Sequence, residues 1–547
     1  MFQVRMMFLV SMLAALVVAG VGPAAAQLQS RDQQACLSTV AKSAAKLSLT
    51  QAKAYATCLK AAAGADLGTC AKAQDCVDVD PSGKIAIAVG MLRDADTKAC
   101  TVAPDFGHRP APLVAMVAVQ ESLGLEDDLL GADLDAAAVL KASQARGAAC
   151  QSKILGTAGK LLATLGATYD SCKKAGLAAG SIISTAGLDA CLGRFDSDPS
   201  GKIAKARSAL AAVATATCRD LDLGALFPGN CSGAADFAAC AATRARCRAC
   251  RRAVSSDNLA SDCELLDDGL ANNSCSGHAG RCNGRAELCD RTFDAVSYPT
   301  THNSFSNAEE NWTNPNQRYG ITRQLSDGVR ALMLDTYYYA GDLYLCHAFC
   351  NMGEGPGKTP RELLVSGLGK IRDFLDANPN AVVSIIFESY ITESQTTQAF
   401  SDAGLAGMVH SQTQGQPWPT LDALIASGKR LVVFTDDSAA SLPWHHYVWD
   451  FAWETNYSFY SAADFSCAIN RGNAANSLFI LNHFLTHTFG SSQLANQVNH
   501  DPLFINRALQ CRSESGRLPN FVTVDHYDIG DVFSVVRKMN GLGECVP

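Results

Sequence analysis

Thr301-His302-Asn303-Ser304 ends one apolar run of the chain, Arg330-Ala331-Leu332-Met333-Leu334-Asp335 is a second, and Leu343-Tyr344-Leu345-Cys346-His347 a third. Each of the three carries an ionisable residue at or just past its end. Two histidines with a carboxylate between them suit a phosphodiester: one imidazole takes a proton from the attacking hydroxyl, the other gives one to the leaving oxygen. Glu388 and Asp525 stand in the same position after later runs. Taken singly, each has an ordinary reading, with His302 a turn histidine, Asp335 or Asp525 a helix cap, and Glu388 an exposed loop carboxylate. Five at corresponding places point instead to one catalytic edge.

The elements that would position them are short and alternate in type. Apolar runs at 295–301, 329–334, 343–346, 382–387, 430–434, 478–481 and 521–524 read as strands, and amphipathic stretches at 361–377 and 421–427 read as helices. This predicts an α/β fold, a TIM-type (β/α) barrel over residues 291–547, whose active-site face is the C-terminal edge of the strands.

A chain of 547 residues is too long for one core. The net charge of −8 gives no electrostatic reason to expect nucleic acid. Residues 1–26 have Arg5, an apolar run and Pro23-Ala24-Ala25-Ala26, the pattern of a cleaved secretory signal peptide. The 22 cysteines agree with a secreted, periplasmic or extracellular protein held by disulfides. Seventeen lie before residue 290 and five after it, both odd, so full oxidation requires a bridge between the halves. Cys467 with Cys511, Cys346 with Cys350, and Cys545 with the N-terminal half are the expected pairings. Cys247-Arg248-Ala249-Cys250 is read as disulfide cysteines and not as a metal knuckle or redox pair.

Residues 27–228 are read as an all-α, disulfide-rich region with an internal repeat. Cys36 and Cys58 are spaced as Cys150 and Cys172 are, and Asp78-Val79-Asp80-Pro81-Ser82-Gly83-Lys84 matches Asp196-Ser197-Asp198-Pro199-Ser200-Gly201-Lys202. That motif lacks the closing Glu of a calcium loop and is read as a turn capping the next helix. Residues 229–290, with eight cysteines between Cys231 and Cys289, are read as a cysteine-rich linker or small knot.

Ser297 to Phe305, Gln324 to Asp335 and Leu345-Cys346-His347 resemble the catalytic X region of phosphatidylinositol-specific phospholipase C. Trp418-Pro419-Thr420-Leu421, Gly428 to Phe434 and Pro519 to Asp525 resemble the secreted phospholipase-C-like phosphodiesterases. The resemblance covers about residues 291–545. It implies that His302 is the general base on an inositol 2-hydroxyl and His347 the general acid on the lipid oxygen, with a cyclic phosphodiester formed and then opened by water. Asp525 is inferred to orient His302. The implied substrate is a phospholipid or other phosphodiester, met in transient contact with a membrane surface.

The chain departs from both known forms of that site. The metal-free bacterial form has Asp after the first histidine and Arg two residues past the strand-end Asp, where this chain has Asn303 and Tyr337. The calcium form uses Asn, Glu-x-Asp and a later Glu; Asn303, Asp335 and Glu388 match, and Met333 replaces the first Glu. Ca²⁺ on Asn303, Asp335 and Glu388 is therefore one expectation, and an Arg or Lys from elsewhere in the chain the other. Two further readings belong to other classes. One is a glycerophosphodiesterase or sphingomyelinase-D-like barrel, which typically keeps the Glu that Met333 replaces. The other is a non-catalytic extracellular binding protein, which would turn one histidine away from a shared pocket.

Overall fold

A computed structural model describes residues 28–267, 269–270, 275, 280–347, 349–351, 355–486, 490–543 and 545. The signal-peptide reading of residues 1–26 lies outside the described residues. Six long helices build the N-terminal half: α1 (Arg31–Ala63), α2 (Lys84–Ala99), α3 (Ala111–Leu130), α4 (Lys141–Ala178), α5 (Lys202–Ala216) and α6 (Phe237–Asp257). Ser30 starts α1 with a capping box to Gln33, which satisfies two backbone donors reciprocally. Asp80 accepts from the backbone N–H of Ile85 at 2.7 Å, and Asp198 from that of Ala204 at 2.9 Å. Both Asp-x-Asp-Pro-Ser-Gly segments are thus helix-capping turns. The pairs Cys36–Cys100 and Cys58–Cys76 have counterparts in Cys150–Cys218 and Cys172–Cys191.

The cysteine-rich stretch differs from a linker or knot. Its middle is the 21-residue helix α6, tied by Cys231–Cys240, Cys247–Cys275 and Cys250–Cys263 and packed into the same core as α4. Two of its arginines, Arg248 and Arg252, are buried because neighbouring helices supply carboxylates: Arg248 meets Asp128 at 2.8 Å and Glu121 at 3.3 Å, and Arg252 meets Asp170 at 3.3 Å.

Among the described residues the C-terminal half holds eleven strands, namely β1 (Tyr298–Thr301), β2 (Ala331–Tyr339), β3 (Asp342–Leu345), β4 (Glu362–Leu363), β5 (Val383–Tyr390), β6 (Leu431–Thr435), β7 (His445–Tyr447), β8 (Ala452–Thr455), β9 (Ile469–Gly472), β10 (Leu478–Asn482) and β11 (Phe521–Val524). Their order is β7-β6-β5-β2-β1-β11-β10-β8-β9, with β3 and β4 attached beyond β2. Eight run parallel; β3, β4 and β9 add antiparallel edges. Alternation decides the two faces. Leu332, Leu334, Leu431 and Val433 face Leu364, Leu368 and Ile371 of the helical layer, whereas Ala331, Val432 and Phe434 face inward with Tyr298, Ile480 and Phe521. Burial on both faces is why these strands read as unbroken apolar runs.

The sheet bears out the expected α/β fold, but only part of the expected TIM-type barrel is formed. Among the described residues no ladder joins β7 to β8, so the sheet curls without closing. Only the short helix Val448–Phe451 separates those strands, and a parallel pair needs a crossover of about a dozen residues or more.

The halves are joined through α3, whose Leu113, Met116 and Val117 belong to the core of the strand-bearing half. Arg281 pairs with Asp127 at 2.5 Å and Asp78 at 3.2 Å, and Arg285 with Asp78 at 2.8 Å. Cys70–Cys545 crosses from one half to the other, and Cys346–Cys350 and Cys467–Cys511 pair within the second. No helix among the described residues is long and apolar enough to cross a membrane. Replacing Cys70 and Cys545 together by Ser should lower unfolding stability by roughly 2–5 kcal/mol in chemical denaturation, the usual cost of losing a native bridge. An unchanged transition would mean that the ion pairs and α3 alone hold the halves together.

Candidate active site

Ladder register brings the first histidine to its carboxylate. Strand β1 pairs with β11 in parallel, Thr301 opposite Val524, so the next residue of each, His302 and Asp525, meet just past the ladder. His302 Nδ1 lies 2.9 Å from Asp525 Oδ1. A carboxylate accepts, so Nδ1 carries the proton and Nε2 is left as the basic nitrogen. Three further residues, through four contacts, hold His302 and its carboxylate in place. Gln317 Nε2 donates to the His302 carbonyl at 2.8 Å and to that of Val524 at 3.1 Å, Asn316 Nδ2 donates to Asp525 at 3.1 Å, and Phe484 stacks on the ring with centroids 4.3 Å apart. Asn303 follows in the left-handed region, φ 44°, which an asparagine tolerates better than most residues.

The second histidine is held from β2. Asp335 is buried in the middle of that strand, which runs on past the apolar pattern to Tyr339, and its Oδ2 lies 3.2 Å from His347 Nδ1. The hydrogen bond to Asp335 raises the His347 pKa above its ordinary 6.5, against the opposing effect of burial. Burial in turn raises the Asp335 carboxyl, and Glu388 adds to that shift. Asp335 and Glu388 are register partners on β2 and β5. Glu388 accepts the Tyr390 hydroxyl at 2.6 Å, and the Asn303 amide nitrogen lies 3.4 Å from His347 Nδ1.

Two adjoining cavities occupy this edge. One, of about 250 Å³, is lined by His302, Asn303, His347, Glu388 and Phe484. The other, of about 300 Å³, is lined by His302, Met333, Asp335, Glu388, Glu454 and Arg471 among others. Both histidines therefore border one space, each backed by its own carboxylate. The five residues read from the sequence as strand ends are brought together here, although β2 and β5 run on past Asp335 and Glu388 to Tyr339 and Tyr390.

The donor set offered by Asn303, Asp335 and Glu388 is made of oxygen ligands of the kind hard cations take, although Asp335 also holds His347. Met333, which lines the second cavity, offers no oxygen in the fourth place. Among the described residues, the one cluster of three or more His, Cys, Asp or Glu side chains close enough to share an ion is Cys36, Asp96, Cys100 and His108. Its cysteines are bonded to each other.

Sequence reading missed Asn316, Gln317, Phe484, Glu454 and Arg471. Phe484 lies two residues beyond β10, where the strand-end rule would have found it. Asn316 and Gln317 sit in a polar loop without periodicity, and Glu454 belongs to a strand of four residues too short to recognise. Arg471 Nε donates to Glu454 at 2.5 Å, and its guanidinium lies over Trp449 and Tyr457 at 4.5 and 4.8 Å from their centroids.

Residues 288–540 match the PI-PLC X family model. The chain is 30% identical over 297 residues to an uncharacterized secreted protein of Arthroderma benhamiae, covering 48% of this chain and 65% of that protein, short of two thirds of its length. It is 29% identical over 323 residues to a PI-PLC X domain-containing protein of Arabidopsis thaliana, covering 52% of this chain and 75% of the relative. A double mutant of the phosphatidylinositol-specific phospholipase C from S. aureus aligns over 47% of this chain and 96% of its own, at 13% identity and a TM-score of 0.30, too distant to bear on the chemistry.

The Asp335 bond gives a test free of any substrate. A histidine raised by its partner stabilises the fold below its ordinary pKa, and that contribution is lost as pH rises through the raised value. Asp335→Asn should therefore move the His347 titration midpoint, followed by NMR, downward. An unmoved midpoint would place the cause of the shift elsewhere.

Proposed function

We propose that the C-terminal half is a secreted phosphoric diester hydrolase of the phospholipase C type. The observation that supports this best is that His302 and His347 border one cavity, each hydrogen-bonded through Nδ1 to a separate carboxylate. His302 Nε2 takes the proton of a hydroxyl adjacent to the phosphate, and that oxygen attacks phosphorus. The bond to the leaving oxygen breaks as His347 delivers its proton there, and the product is a cyclic phosphodiester. Water then opens the ring with the two roles reversed, His347 as base and His302 as acid. Asp525 holds His302 in the tautomer this requires and stabilises its imidazolium.

The phosphate's negative charge needs a counter-charge as it grows in the transition state. Asn303, Asp335 and Glu388 would hold a Ca²⁺, which when bound supplies that charge. Arg471 is the other source, already fixed in the adjoining cavity by Glu454. The secreted relative and the eleven disulfides favour an extracellular setting for the reaction.

His302→Ala and His347→Ala should each lower turnover of a phosphatidylinositol or comparable phosphodiester by about 10²–10⁴-fold, with a smaller effect on substrate binding. Turnover left intact by either change would remove the two-histidine mechanism. If Ca²⁺ is the counter-charge, excess chelator abolishes activity, and Asp335→Asn is partly rescued by raised Ca²⁺ through mass action. Full activity in chelator would assign the charge to the protein, with Arg471→Ala the next variant to measure.

A further inference from the structure

The widest opening among those described lies far along the chain from the histidines, between α4 and α5 of the helical half. This groove, of about 910 Å³, falls in the range of about 300–1,000 Å³ typical of small-molecule sites. Its floor is made of Ala163, Ala167, Ala206 and Ala209 with the side chains of Thr157, Thr164 and Thr168. The three threonine hydroxyls donate back to carbonyls of their own helix, at Lys153, Lys160 and Thr164, which leaves their methyl groups as the surface presented. From Thr157 to Ser171 the helix runs about 21 Å at ~1.5 Å per residue. One leaflet of a bilayer gives its acyl chains only about 15 Å, half of the ~30 Å hydrocarbon core.

Charge is concentrated at one end. Cys150–Cys218 and Cys172–Cys191 fix α4 and α5 antiparallel, so the start of α5 lies by the end of α4. Arg194, Lys202 and Lys205 gather there, with Lys160 farther along, and none forms an ion pair among the described residues. Residues 141–209 hold ten Lys and Arg against four Asp and Glu, a local +6 in a chain of net −8.

The first pair of helices, α1 and α2, supplies an internal comparison. The offset from Cys36 to Cys150 sets Leu49 opposite Ala163, and the offset from Gly83 to Gly201 sets Met91 opposite Ala209 and Ile87 opposite Lys205. Lys46 Nζ reaches Met91 Sδ at 3.7 Å, across the place where the second pair is open. The first pair thus carries large, partly exposed apolar side chains at Leu49, Ile87 and Met91, where the second has Ala163, Lys205 and Ala209.

We infer that the α4–α5 groove seats an acyl chain of an anionic phospholipid, with the head-group phosphate at Arg194, Lys202 and Lys205. An apolar floor without free hydrogen-bonding groups, leading to unpaired cations at one end, matches the polarity of that amphiphile. The site is separate from the histidine cavity, and the inference does not depend on the phosphodiesterase reading.

The test is calorimetric titration of the full chain with a short-chain phosphatidylglycerol below its micellar concentration, and with phosphatidylcholine of the same chain length. Saturable binding of phosphatidylglycerol, weaker by about tenfold or more for phosphatidylcholine, is expected. Ala163→Leu with Ala209→Met installs residues that the first helix pair already carries, and should weaken phosphatidylglycerol binding by about tenfold or more, as should Lys202→Glu with Lys205→Glu. Far-UV circular dichroism and hydrolysis of a water-soluble phosphodiester should be unchanged in both variants. The His302→Ala chain should bind as the parent does, which keeps seating apart from turnover. Binding unaffected by the filling pair, equal binding of both lipids, or binding of an acidic helical peptide but not of lipid would each overturn the inference.

Discussion

The parallel pairing of β1 with β11 is the constraint on which the site depends. It joins the first and last strands of a sheet that spans 227 residues, from Tyr298 to Val524, and so brings His302 to Asp525 across 223 positions of sequence. A parallel ladder fixes register, and a slip of one residue would turn every side chain to the other face. His302 would then point away from the cavity and Asp525 away from His302. Asn520 supports the register from below: its side chain donates to the carbonyls of Asp294 and Val296 and accepts from the Phe479 N–H, tying the entries to β1, β10 and β11 together. The polar shell around His302 follows from that placement, since Asn316 and Gln317 bond to atoms of both strands.

Much of this was legible in the sequence because burial on both faces makes a parallel strand conspicuous. Val382 to Phe387 and Arg430 to Phe434 could hardly be anything else, and the ionisable residues at the strand ends then fell on one edge. The open side of the sheet was not legible, since β7 and β8 have three and four residues and carry His445, His446 and Glu454 in place of an apolar run. Helix α6 was hidden for a different reason. Arg248, Arg251 and Arg252 look like a solvated face, and only the partner helices reveal that Asp128, Glu121 and Asp170 are waiting for them. A charge on a helix says nothing of burial until its counter-charge is located, because a paired ion is tolerated where a lone one is not.

The same principle governs the seam between the halves. Arg281 and Arg285 lie in the segment that leads into β1, and they reach back into the carboxylates Asp75, Asp78 and Asp127 of the helical half. Removing one member of such a set strands the others without water, so the seam resists partial change. Glu126, buried beside Asp127, is driven upward in pKa by burial and then by that neighbour, and favours its neutral form. The helical half thus holds the entry to the sheet with ions, and its far end with a covalent bond.

That bond, Cys70–Cys545, sets a schedule for maturation. A chain made from its N-terminus presents Cys70, among helices that can already pack, 475 residues before Cys545. Cys70 must wait as a thiol, or in a provisional pairing that thiol–disulfide exchange later undoes, until the strands that lie between the two cysteines have been made. Wherever Cys70 pairs early, isomerisation as well as oxidation is needed to reach this bond. A host that only oxidises would trap Cys70 with Cys58 or Cys76, its nearest companions in time.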